Sequence, residues 1–304
     1  MKIAIYLAAV PQNKNAIKLA VLKRFGEGAR RCGDTVEIVE NINIVNSDVA
    51  VMQGFVHQDI SRPHLLLRRN ILDSNPNTVV IDSNLFQFSN PDLQNYYLRY
   101  SLNGIFPTTG FYFDNKLDTS RWEAISKKLN IHILDWRTAG GHILICLQRV
   151  DGWSMCGSNV QDWLDQTVAK IRQHTNRPII VRKHPGDRRQ DHLRFSNHYH
   201  VSTNPSILQD LKNCWATITY NSSPGIASLI NGVPVFVTDP SPQQSQTWPI
   251  CNTDLSLIEN PSMPDRTEWI NRISQSHWND DEIVSGEAWK FMRERLCILR
   301  PNLS

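Results

Sequence analysis

Residues 2–40, KIAIYLAAVPQNKNAIKLAVLKRFGEGARRCGDTVEIVE, decide the fold. A short apolar run opens the stretch, an amphipathic segment near 14–31 follows, and a second β-branched run closes it. Gly33 stands where the intervening helix must end in a left-handed residue. Two further apolar runs, SDVAVMQG and NTVVIDS, flank an amphipathic segment at 61–74. Strands that alternate with helices in this way build a parallel sheet.

The pattern restarts at HILICLQR, after the polar, glycine-bearing DWRTAGG of 135–141. A helix (VQDWLDQTVAKIRQHT), a strand (RPIIVRK), a short strand (HYHVS), a helix (PSILQDLKNC), a strand (WATITY), a helix (SPGIASLING) and a strand (VPVFVTD) follow. The expected fold class is α/β, with two Rossmann-like, doubly wound domains facing a cleft. The boundaries expected are 1–138 for the first domain and 139–280 for the second. The tail 281–304 reads as helix and is expected to cross back to the first domain. A length of 304 residues fits this plan at roughly 150 residues per domain.

A formal charge of +3 permits an anionic partner without requiring one. The six cysteines form no CxxC pair and read as reduced thiols. MKIAIYLAAV leads straight into a loop, helix and strand, so it reads as a first buried strand and not as a signal peptide. No apolar stretch is long enough to span a bilayer. These features together lead us to expect a cytoplasmic protein. Trp122, Trp163, Trp269 and Trp289 fall on amphipathic helices, where packing is the default role.

Two segments carry the chemistry. RPIIVRK ends in His184 and Pro185, so the imidazole stands at the carboxyl end of a strand, where open α/β sheets bind ligands. WATITY ends in Asn221, Ser222, Ser223, Pro224 and Gly225, which reads as a serine N-cap with proline at the first helical position. Free amides, the helix dipole and the serine hydroxyls would there face an anion. Each segment alone reads equally well as a turn or a helix start, and their pairing on alternating units points to a phosphate site.

At these residues the chain resembles glycosyltransferases of the GT-B architecture. His184-Pro185 and Ser222-Ser223 match the His-Pro and Ser-Ser motifs with which several bacterial sialyltransferase and Kdo-transferase families contact donor phosphate and nucleotide. The acidic D/E-D/E-G motif that supplies the base in some of those families is absent, which leaves the base open. The segments VVIDSNLFQF, YLRYSLNGIFPTTGFYFDN, LICLQRVDGWSM, RKHPGD and YNSSPG also resemble proteins of tailed phages. That resemblance implies transfer of a hexose or pentose to a 5-hydroxymethylated pyrimidine, hydroxymethylcytosine, in double-stranded DNA within the host cytoplasm.

Expected donor contacts are Arg149, Gly152, Arg182, His184, Pro185, Asn221, Ser222, Ser223 and Gly225. The co-substrate is a UDP-sugar, with a CMP-sugar as the alternative, and no further cofactor is expected. Asp82, at the end of NTVVIDS, is the leading candidate for a general base, ahead of Asp114 and Asp151; capping the next turn is its ordinary role. Arg99, Asn103, Thr108 and Thr109 form the expected acceptor loop, for which aromatic packing is the competing reading. No DxD or HExxH occurs, so no metal is expected. The pairs Arg30-Arg31, Arg68-Arg69 and Arg188-Arg189 would suit DNA phosphates but are dispersed. The competing functions are a transferase that builds a surface polysaccharide or lipopolysaccharide, and a noncatalytic nucleotide- or nucleic-acid-binding protein.

Overall fold

The computed structural model describes residues 1–11, 16–55, 61–86, 88, 97–106, 118–150, 152, 155 and 157–301. In chain order the first elements are β1 (Lys2–Tyr6), α1 (Ala16–Arg31), β2 (Thr35–Val39), β3 (Val49–Gln53), α2 (Pro63–Ser74), β4 (Thr78–Asp82) and β5 (Tyr97–Leu102). Then come α3 (Ser120–Leu129), β6 (His142–Cys146), α4 (Val160–Ile171), β7 (Ile179–Arg182), β8 (His200–Val201), α5 (Ile207–Asp210) and β9 (Cys214–Thr219). The last are α6 (Pro224–Ile230), β10 (Val235–Val237), α7 (Thr267–Ser274), β11 (His277–Asn279), α8 (Asp280–Ser285) and α9 (Glu287–Leu299). The chain forms two compact units, one of Met1–Asn84, Asp92–Asp118 and Arg272–Ser304, the other of Leu85–Pro91 and Thr119–Asn271.

In the first unit the strand order is β11-β5-β4-β3-β1-β2. β1 to β4 are parallel, as their apolar runs imply, but β5 and β11 pair antiparallel, so the expected all-parallel sheet is corrected to a mixed one. Helix α1 buries Leu22, Phe25 and Ala29 against Ile3 and Ile5 of the sheet. Gly33 has φ +85°, the left-handed geometry its place after α1 requires. The tail belongs to this unit. Trp289 of α9 packs edge-on against Phe25 at 5.6 Å and donates from Nε1 to Asp34 at 2.6 Å. A Cβ on Gly28 of α1 would lie 2.0 Å from the carbonyl oxygen of Ile283, so only glycine lets α8 approach this closely.

The second unit's sheet, β10-β9-β6-β7-β8, is parallel throughout. Ile143, Ile145, Val181 and Ile218 pack with Trp163, Leu164 and Ile171 of α4. Burying a side chain of this size contributes about 1.5–3 kcal/mol. Asn159 caps α4 by accepting from the amides of Gln161 and Asp162. The expected boundary at 138/139 falls inside this unit. The amides of Leu134 and Arg137 bond the carbonyls of Ile230 and Gly232 at 2.9 Å each, and Trp136 donates to the carbonyl of Pro264, tying the 131–137 segment to α6.

Candidate functional site

From β6 the chain winds one way to β7 and β8, then returns to place β9 on the other side of β6. The carboxyl ends of β6 and β9 therefore meet at a topological switch point, the position where such sheets bind ligands. Buried amides weld the loops there. Gln148 donates to Asn221 Oδ1, and Asn221 donates from Nδ2 to Asp239 at 2.6 Å. Fully buried Gln190 donates to the carbonyl of Gln148 and accepts from the His184 amide at 2.6 Å. Asp187, the last residue of the HPGD segment, accepts from the amide of Val150 at 2.7 Å. The loops after four neighbouring strands thus hold one another in place.

On this frame stands His184. The amide of Gly186 meets its Nδ1 at 3.1 Å, and Nε of Arg149 meets its Nε2 at 3.3 Å. Both neighbours can only donate. A neutral imidazole accepts at one nitrogen alone, so one of the two contacts sets two N–H donors against each other. An anionic oxygen beside them satisfies both donors. Burial, then the charge of Arg149, holds the imidazole below its usual range, which keeps it neutral at pH 7. A Cβ on Gly186 would approach Arg149 Nη2 to 3.2 Å, and one on Gly152 would approach the carbonyl of Arg149 to 2.9 Å. The two glycines therefore leave room for the arginine, while Pro185 turns the chain between His184 and Gly186.

The serine pair corrects one expectation. Ser223 at the N-cap is in the right-handed helical region (φ −59°, ψ −22°) and makes no side-chain cap bond. The amides of Gly225 and Ile226 bond the carbonyls of Ser222 and Ser223 at 3.1 and 2.9 Å, so the expected free amides are occupied. Gly225 instead supplies packing room, since a Cβ there would lie 2.8 Å from Thr247 Cγ2. What remains for a ligand is hydroxyl chemistry. Ser222 Oγ is buried with no partner among the described residues, and so is Thr219 Oγ1 at the end of β9. An orphaned buried hydroxyl costs about 1–3 kcal/mol. Ser222→Ala is therefore expected to leave thermal stability unchanged or slightly raised and to weaken nucleotide binding about tenfold. Thermal-shift titration with UDP checks both.

Arg182 is also corrected. Its guanidinium donates to Asp210 at 2.6 Å and to the carbonyls of Asn204 and Pro205 at 2.9 and 3.2 Å, so it clamps the loop before α5 and does not reach toward a donor.

In the first unit Asp82 ends β4 as expected. One carboxylate oxygen accepts from the amide of Ser83 at 2.7 Å and the other from Arg99 Nη2 at 3.2 Å. Arg99, expected to meet the acceptor, is a buried residue of β5 whose other nitrogens bond the carbonyls of Ser83 and Ile105 at 2.9 and 3.0 Å. It fixes Asp82. Asn103 sits at the opposite end of the sheet, because β5 runs antiparallel to β4 and Leu102 pairs with Val79. With φ +60° it accepts from the amide of Thr78 and donates to the carbonyl of Pro76, which accounts for it as a turn residue. Thr108, Thr109, Asp114 and Asp151 lie outside the described residues.

Two solved structures share this plan. Thermosulfurimonas dismutans KpsC, beta Kdo 2,4 transferase, superposes with a TM-score of 0.57 at 12% identity over 92% of each chain. The beta Kdo 2,7 transferase of the same organism's KpsC superposes at 0.52, 12% identity, over 95% of this chain and 100% of its own. The fold is GT-B-like. No family model matches the chain, and no curated protein matches it.

Within this GT-B-like fold the residues that sequence reasoning missed are the buried connectors Gln148, Asp187, Gln190 and Asp239. Two of them carried a local signal. Asp187 completes the HPGD turn, and Asp239 follows the apolar run VPVFV at a strand end. Gln190 had none, since a glutamine directly after an arginine pair reads as surface. No described helix is long and apolar enough to cross a membrane.

Proposed function

We propose that the protein transfers a sugar from a nucleotide-sugar donor to a hydroxyl acceptor. The observation that carries this reading is the donor pair His184 and Arg149 at the β6/β9 switch point, 3.3 Å apart and matched to an anion. As the anomeric C–O bond to the diphosphate breaks, negative charge grows on the leaving phosphate. In this reading His184 Nε2–H, the Arg149 guanidinium and the Ser222 hydroxyl stabilise it. Asp82, with its carboxylate held by Arg99, is the proposed base that takes the acceptor's proton. UDP-sugars are the first donors to try, CMP-sugars the second.

For the acceptor, a glycan hydroxyl is favoured. The two similar structures are Kdo transferases, and the arginine pairs that would follow a DNA backbone are in part spent internally. Arg68 is buried, and Arg189 is paired with Asp187 at 2.8 Å. Hydroxymethylcytosine in DNA is the second acceptor.

The test is mass spectrometry of oligosaccharides and of hydroxymethylcytosine DNA after incubation with UDP-, GDP- and CMP-sugars. A gain of one sugar mass on either acceptor establishes transfer and names donor and acceptor together. Asp82→Asn is expected to abolish that gain while leaving nucleotide binding intact. Binding of one nucleotide without turnover on any acceptor would leave a noncatalytic nucleotide-binding protein.

A further inference from the structure

The first unit has its own switch point, where β1 stands between β2 and β3. Beneath it lies Arg68 of α2, 5% exposed. Its Nε donates to the carbonyl of Ala9 at 2.9 Å and its Nη1 to that of Phe55 at 3.1 Å, so it joins the loops that leave β1 and β3. Gly54, at φ +97°, lets the guanidinium lie against the backbone, since a Cβ there would fall 2.6 Å from Nη2. No described carboxylate is ion-paired with Arg68. Asp82 is the acid whose charge reaches it, and that carboxylate is already held by Arg99. Buried guanidinium groups without a counter-charge are rare because desolvation is costly.

More positive charge gathers around it. Lys18 of α1 and His64 of α2 both feel Arg68, and burial together with that repulsion pushes both below their usual ranges, which leaves His64 neutral at pH 7 and Lys18 as the second cation. Gln53 ends β3 on the face of Val49 and Val51, the face that α1 covers, and its buried Oε1 has no donor among the described residues. The edge therefore combines two cations, Arg68 and Lys18, with a lone acceptor suited to a hydroxyl.

We infer that this edge is an oxyanion subsite in which Arg68 and Lys18 take the carboxylate or phosphate of a charged sugar and Gln53 accepts from one of its hydroxyls. Calling that sugar the acceptor rests on the transferase reading, whereas the binding itself does not.

The test is calorimetric titration of the full chain with glucuronate, glucose 6-phosphate and glucose, in wild type and in the Lys18→Met, Arg68→Met and His184→Ala variants. One or both charged sugars should bind at least about tenfold more tightly than glucose, and Lys18→Met should weaken that binding by about tenfold. Glucuronate alone would identify a carboxylate, and glucose 6-phosphate alone a phosphate. His184→Ala removes the proposed donor-phosphate contact of the other unit and should leave the affinity for the charged sugars at its wild-type value. Arg68→Met should abolish binding. Because it also breaks two loop bonds, Lys18→Met is the deciding variant, since its side chain is only partly buried. Charged sugars that bind no better than glucose, a Lys18→Met protein that binds like wild type, or loss in His184→Ala alone would overturn the assignment. Since the readout is binding, a failure of sugar transfer leaves this result independent.

Discussion

His184→Ala is expected to lower kcat/KM for the proposed sugar transfer by about 10²–10³-fold, the usual effect of deleting one donor aimed at developing charge. The imidazole is neutral and carries a single N–H, so the role proposed for it is donation to the leaving phosphate and not proton delivery. His184→Gln, which keeps an N–H donor, should recover part of the rate where alanine recovers none. A rate that is equal in wild type and alanine variant, on an identified donor and acceptor, would remove His184 from the mechanism. The same group has a second signature. Its folded-state pKa lies below the ordinary value of 6.5 because the ring is half-buried beside Arg149. As pH falls below about 6.5 the unfolded chain takes up this proton first. Stability is then lost with falling pH until the folded ring titrates too. Urea midpoints at pH 7.5 and 5.5 should diverge less in His184→Gln than in wild type.

The largest loss of stability is expected from Asp210→Ala. Asp210 is 2% exposed and accepts from Arg182, Ser202 Oγ and Asn204 Nδ2, each at 2.6 Å. Its removal leaves the Arg182 guanidinium in a low-dielectric pocket with carbonyls for company and no counter-charge. Breaking one side of such a pair costs about 3–5 kcal/mol. The urea midpoint of the second unit's transition should fall with its m-value unchanged. Arg182→Met combined with Asp210→Leu removes both charges together and should recover much of the loss. Nucleotide affinity in the double variant decides the placement of Arg182. Retained affinity agrees with a clamp, and abolished affinity would return Arg182 to the donor site.

Much of the fold can be read along the chain. KIAIYLA, TVEIVE, SDVAVMQG and NTVVIDS each contain a strand of the first sheet, because buried parallel strands need continuous apolar runs. β5 escapes that reading. Its segment contains Arg99 and Ser101, both buried, and the carboxylate that accommodates Arg99 belongs to Asp82, 17 residues earlier. β11 has three residues and is a strand only because β5 offers an edge for it. The place of His184 just past β7 was legible, since the apolar run stops there and Pro185 disfavours a helix. The serine cap was not, because the backbone of Ser223 follows from the anchoring of Asn221 between Gln148 and Asp239, contacts made across 73 and 18 residues.

By itself the sequence determined two α/β units and put His184, Ser222 and Asp82 near carboxyl ends of strands, because hydrophobic periodicity and turn chemistry act within a few residues. Only the tertiary structure decided which cations are spent and which remain. Arg182 and Arg99 find carboxylates on other elements, Arg149 faces His184, and Arg68 is buried with none paired to it among the described residues. A side chain's charge is written in its own residue type, but whether that charge is neutralised depends on a partner brought near by folding.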